Sequence, residues 1–161
     1  MAERFLGKGS GDGPTPRLVP EFDVLDLAVS LAFYVGILEF ELVFERPAER
    51  FAYLDLDGAH LMLEEATGPG RRFHTAALEY PFGRGVNLQI AVSDVEALYE
   101  RTRSAGCAPV IALEERRYQA GSRSILQRQF VVRDPDGYLL RFSESVDSRP
   151  GSSAFSRSAS C

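Results

Sequence analysis

The chain has 161 residues, 45% of them hydrophobic and 25% charged, which is enough to bury a core without disulfides or a metal staple. Eighteen Lys and Arg against 23 Asp and Glu leave a net charge of -5, the wrong sign for a protein that lives on phosphate backbones, so nucleic acid is not an expected partner. The longest nearly uncharged run, residues 27–38, falls well short of the ~20 apolar residues of a membrane span, and no membrane contact is expected. Residues 1–15 lack an apolar stretch followed by a small-residue cleavage site, which makes the cytoplasm the expected location. Two cysteines, Cys107 and Cys161, do not make a disulfide framework.

Residues 1–16 and 146–161 are rich in Gly, Ser and Pro without apolar periodicity, and both ends are expected to be disordered. Between them, 17–26 reads as a strand and 26–38 as a helix with Leu27, Leu31, Tyr34 and Leu38 on one stripe. Strands are expected over 39–45, 50–56 and 59–65, the last two joined at Asp57-Gly58. A linker covers 66–84. A strand over 85–93 then leads into a helix with Ser93 as N-cap, Glu96 completing a capping box and Gly106 ending it. The remaining expectations are a strand over 108–113, a polar loop over 114–128, a strand over 129–133, the turn Asp134-Pro135-Asp136-Gly137 and a strand over 138–143.

The order β-α-β-β-β therefore occurs twice. Asp26 and Asp94 open the two helices 68 residues apart, and Gly58 and Gly137 precede the two final strands 79 apart, so 11 residues are inserted in the second copy around 114–128. Half-units of this size do not bury their faces alone and pack together.

Four segments, D-L-A-V-S-L-A-F-Y (26–34), D-G-A-H-L-M-L-E-E (57–65), I-A-V-S-D-V-E-A-L-Y (90–99) and R-Q-F-V-V-R-D-P-D-G-Y-L-L-R-F (128–142), carry a resemblance to the vicinal oxygen chelate superfamily, specifically its bleomycin-resistance and glyoxalase-like proteins. The resemblance covers residues 17–145, as module one (17–65), linker (66–84) and module two (85–145). It implies an α+β fold of two tandem βαβββ modules whose strands form a curved mixed sheet, a half-open cup with helices on its convex side, and it implies a homodimer. It also implies one of three activities: metal-dependent isomerase or dioxygenase, metal-dependent transferase, or metal-free binder. Fold alone does not choose among them.

The strand period of two separates the faces. Leu61 and Leu63, Leu88, Ile90 and Val92, Tyr138, Leu140 and Phe142, and Leu18, Phe22 and Val24 form the core sets. The cup then receives Glu21 and Asp23; His60, Met62 and Glu64; Asn87 and Gln89; and Arg141. By the resemblance, metal ligands would fall at Val19, Met62, Asn87 and Arg141. Val and Met offer a hard cation nothing, and Arg141 repels one, so neither a metal nor another cofactor is expected. His60 and Glu64 stand ~13 Å apart along one strand, too far to share an ion. No serine or cysteine has a histidine and acid in sequence context, so no catalytic residue is assigned, and His74 reads as a solvated linker histidine.

Glu21, Asp23 and Glu64 are candidate partners for a cationic ligand, with Asn87 and Gln89 orienting it and Arg141 pairing with Glu64 or Asp23. Phe44, Phe51, Tyr53 and Tyr118 are the candidate aromatic walls. The inserted loop is expected to act as a lid hinged at Gly121, although its Arg116, Arg117, Arg123 and Arg128 disfavour a cationic guest at its mouth. The reading is a metal-independent binder of a bulky small molecule, such as a bleomycin-like antibiotic, acting by sequestration. The alternatives are a glyoxalase- or dioxygenase-like metal enzyme and a dimeric scaffold with a vestigial cup.

Overall fold

The computed structural model describes residues 16–71 and 73–146. The ends expected to be disordered lie outside the described residues, except for residue 16 and for residue 146, which belongs to the last strand. Module one is β1 (Glu21–Val24), α1 (Leu27–Tyr34), β2 (Glu41–Arg46), β3 (Phe51–Leu56) and β4 (Ala59–Glu65). Module two repeats the order as β5 (Asn87–Ala91), α2 (Val95–Ser104), β6 (Ile111–Ala120), β7 (Arg123–Arg133) and β8 (Leu139–Val146).

The strands form two four-stranded mixed sheets with identical wiring, β1-β4-β3-β2 and β5-β8-β7-β6, each with one parallel pair at the edge. Among the described residues no strand pairing joins the sheets. One apolar core does so instead, running from Phe22, Leu38, Leu54 and Leu63 to Ile90, Leu98, Phe130 and Phe142.

The repeat extends to individual hydrogen bonds. Asp26 caps α1 by accepting from the Val29 amide at 3.0 Å, and Asp94 caps α2 by accepting from Ala97 at 2.9 Å. Glu65 at the end of β4 accepts from the Leu27 amide, and Glu144 in β8 accepts from Val95, so each last strand holds the first turn of its own helix. The α2 cap is therefore Asp94 and not Ser93: a carboxylate one residue nearer the helix takes the amide, just as in module one.

The segment expected as a polar lid is a hairpin. β6 and β7 are 10 and 11 residues long where β2 and β3 have six each, and the inserted residues lengthen this ribbon. Gly121, at φ 64°, is the first residue of a two-residue turn that closes Ala120 against Arg123. A second correction falls at Leu18, expected in the core and found 82% exposed, because β1 begins only at Glu21.

The two turns before the final strands differ sharply. Asp134 and Asp136 are buried, and they tie module two to α1 of module one. Asp134 Oδ2 accepts from the Tyr34 hydroxyl at 2.8 Å, and Asp136 accepts from the Leu25 amide at 3.1 Å and the Ser30 hydroxyl at 3.3 Å. Tyr138 stacks on Phe22 at 3.8 Å and donates its hydroxyl to the Asp23 carbonyl. The linker closes over this joint: Phe82 N donates to the Asp136 carbonyl, and a Cβ added to Gly137 would lie 2.4 Å from Pro81.

Candidate functional site

Each sheet turns one face to the common core and a polar face away from it, and cross-strand partners share a face. On sheet one, register places Glu21, Met62, Tyr53 and Phe44 in one row and Asp23, Glu64, Phe51 and Arg46 in the next. Five sequence candidates, Glu21, Asp23, His60, Met62 and Glu64, thus come together with three of the four aromatic ones. Phe44 stacks on Tyr53 at 5.0 Å and lies 6.0 Å from Phe51, while Tyr53 lies 5.6 Å from His60. The Arg46 guanidinium sits 3.9 Å from the centre of the Phe51 ring, so this aromatic surface already holds one cation.

Glu64 is buried at 5% exposure and bonds to Glu21 across the parallel pair. Burial, that hydrogen bond and the charges of Glu64 and Asp23 hold the Glu21 carboxyl above the ordinary carboxylate range, against the opposing pull of Arg46. His60 stands opposite Asp55 with Nε2 at 3.7 Å, and its Nδ1 is buried without a partner.

His74, read from the sequence as merely solvated, places Nε2 2.9 Å from Asp23 Oδ2. The linker thereby lies against the β1 edge and encloses an open cavity of about 470 Å³ lined by Asp23, Phe73, His74, Leu78, Phe82 and Arg84. Sequence reasoning missed this cavity because nothing local marks residues 73–84 as folding back onto β1.

The other four candidates lie on sheet two. Gln89, Arg141 and Val131 form one row, Asn87 and Leu139 the next. Arg141 lies on the other sheet from Glu64 and Asp23, the ion-pair partners that the sequence suggested for it, and its buried Nε has no hydrogen-bond partner among the described residues. Tyr118 is on the long hairpin, its hydroxyl donating to Gln129 Oε1 at 3.0 Å. Gln129 donates in turn to Glu114, and Arg116 lies 3.2 Å from the same carboxylate. The Gln129 hydrogen bond, reinforced by Arg116 and the charge of Arg141, holds Glu114 below the ordinary carboxylate range. Arg128 is engaged by Glu115, so two of the four hairpin arginines have acidic partners.

The metal site implied by the resemblance does not fit this donor set. A one-residue slip in register would turn the buried Leu61, Leu63, Leu140 and Phe142 outward; of the positions the resemblance designates, Val19 precedes β1, Met62 and Arg141 cannot ligate a hard cation, and their registered partners are Glu21 and Gln89. Among the described residues no three His, Cys, Asp or Glu side chains are placed to hold an ion. Burial pushes the Cys107 thiol up, which makes its thiolate scarce.

Two βαβββ modules wired alike around one core, each offering a polar sheet face, define a protein of the paired-module α+β class. A family model described as the glyoxalase/bleomycin resistance protein/dioxygenase superfamily matches residues 23–142, and the chain belongs to that superfamily. Among solved structures, a superfamily member from Vibrio splendidus 12B01 is 42% identical, covering 78% of this chain and 95% of that one, with a TM-score of 0.37. TioX from Micromonospora sp. ML1 is 25% identical over 81% of this chain and 98% of that one, TM-score 0.59. A lactoylglutathione lyase from Agrobacterium tumefaciens, 17% identical over 81% and 94%, TM-score 0.54, shares the fold. No curated protein sequence matches the chain. Among the described residues no helix is long and apolar enough to cross a membrane.

Proposed function

We propose that the protein binds a bulky, positively charged small molecule without a metal and protects by sequestering it, as a bleomycin-resistance-like member of its superfamily acting as a cytoplasmic homodimer. The observation that carries this reading is the polar face of sheet one, where Glu21, Asp23 and Glu64 adjoin the Phe44, Tyr53 and Phe51 rings and a cavity borders Asp23. Carboxylates supply charge attraction and the rings supply flat apolar area and cation-π contact, a combination suited to a ligand carrying both a cation and planar groups. The seat of Arg46 on Phe51 illustrates the contact such a ligand would make.

No catalytic step is assigned: among the described residues no three His, Cys, Asp or Glu side chains are placed to hold a metal, and burial pushes the Cys107 thiol up. Isothermal titration of the full chain with a metal-free bleomycin-type glycopeptide tests the proposal. Saturable heat with micromolar affinity, unchanged by chelator and weakened about tenfold in Glu64→Gln, is expected. A flat titration up to millimolar glycopeptide overturns the antibiotic reading, and turnover that requires added zinc or iron establishes the rival metal enzyme instead.

A further inference from the structure

Arg141 occupies the middle of the polar face of sheet two, with Gln89 beside it on β5 and Val131 on β7, and Ile111 beyond Val131. Its Nε is buried and has no hydrogen-bond partner. Glu114, the acid whose carboxyl responds to the charge of Arg141, is already engaged by Gln129 at 3.0 Å and Arg116 at 3.2 Å. A guanidinium with a buried donor left unpaired is an unfavourable arrangement for a purely structural residue, since removing such a donor from water is compensated only when an acceptor replaces the water.

We infer that Arg141 is an oxyanion receptor: its planar fork takes a carboxylate, sulfate or phosphate group of an organic ligand, with the Gln89 carboxamide as a second, neutral donor. Guanidinium and such groups match as paired parallel hydrogen bonds, which a lysine does not reproduce. Val131, buried, and Ile111, 40% exposed, flank the position with aliphatic surface, which favours an anion attached to an apolar body over a free ion. The site deepens the binding reading and rests on it only in calling the occupant part of a ligand. Its anion chemistry stands apart from the carboxylate face of sheet one.

The test is a titration of the ¹⁵N-labelled full chain with sodium phosphate and with phenyl phosphate, against sodium chloride at equal ionic strength, following the Arg141 Nε–H resonance and, in the wild type and the variants alike, the Gln89 side-chain amide resonance. A saturable displacement by both phosphates and not by chloride is expected, with phenyl phosphate at least about tenfold tighter. Arg141→Lys and Arg141→Gln are each expected to weaken binding more than about tenfold. Whichever of the two folds, as judged by its melting curve, carries the comparison. Displacement that is linear and matched by chloride overturns the site, as does an unchanged midpoint in either folded variant. Equal midpoints for the two phosphates overturn the assignment to an organic ligand. The glycopeptide titration read on Glu64→Gln is independent of these outcomes, so failure of sequestration and failure of the oxyanion site are told apart.

Discussion

The two modules share wiring, helix caps and a last-strand carboxylate that holds the helix's first turn, yet their turns and polar faces have diverged in opposite directions. In module two, Asp134-Pro135-Asp136-Gly137 is buried and bonded to Leu25, Ser30 and Tyr34. In its counterpart Asp55-Leu56-Asp57-Gly58 the side-chain contacts of Asp55 stay within module one, accepting from Gly58 at 2.8 Å and facing His60 at 3.7 Å, and the turn meets the start of α2 across a cavity of about 110 Å³ bordered by Asp57, Val92, Ser93 and Asp94. One joint between the modules is therefore tight and the other loose. The faces divide likewise, with carboxylates and rings on sheet one and an unpaired guanidinium among amides on sheet two. Pairing of backbone and core demands the same pattern twice, whereas residues that face away from both are free to specialise.

The sharpest way to break this comparison is to add one methyl group to each turn. Gly137, at φ 101°, has no room for it beside Pro81, so Gly137→Ala is expected to lower the unfolding free energy by about 3 kcal/mol or more. Gly58, at φ 89°, has open space around it, and Gly58→Ala is expected to lose only the left-handed backbone preference, about 1–2 kcal/mol. Denaturant midpoints of the two variants compare the joints directly, and equal losses would mean that the turns are equally packed.

The tight joint also has a pH signature. Burial raises Asp134 to about 6 from 3.8, so the folded chain holds this proton more firmly than the unfolded one. Its contribution to stability is accordingly full below about pH 4 and lost as pH rises through 6, a change of about 3 kcal/mol at most. Asp134→Asn keeps the acceptor for the Asp136 and Tyr138 amides and removes the titration. The difference between wild-type and variant stability should then vary with pH between 4 and 6.5 and level off outside that window. A difference independent of pH across that range would show the carboxyl to be solvated.

The smallest effect belongs to the loose joint. Arg101 on α2 reaches Glu39, just before β2, as an exposed ion pair, and Arg101→Ala should cost less than about 1 kcal/mol and less still in high salt. A loss comparable to Gly137→Ala would make the second joint as firm as the first.

Most of the fold was readable because it rests on local rules. The alternation in Ala59–Glu65 and the aspartates that open both helices act over a few residues, and the cup-facing sets on β1, β4, β5 and β8 follow from period two once the strands are known. The long hairpin was also written locally, as Gly121-Ser122 between alternating residues. Its arginines and glutamates, however, made an exposed two-stranded ribbon look like a loop, because neither face of its tip is buried. What escaped was long-range: Asp136 lies 111 residues from Leu25, and His74 comes to Asp23 by a fold of the linker. No periodicity records such meetings. The arrangement of the candidate residues was illegible, since no local pattern records that the acids and Arg141 sit on different sheets.

The account stands on a donor set that cannot chelate, so its most direct test is elemental analysis of the purified full chain after dialysis in turn against zinc, nickel, manganese and iron. Metal well below one ion per chain in every case is the predicted result. One tightly held equivalent of any of the four, retained through buffer exchange, would contradict it.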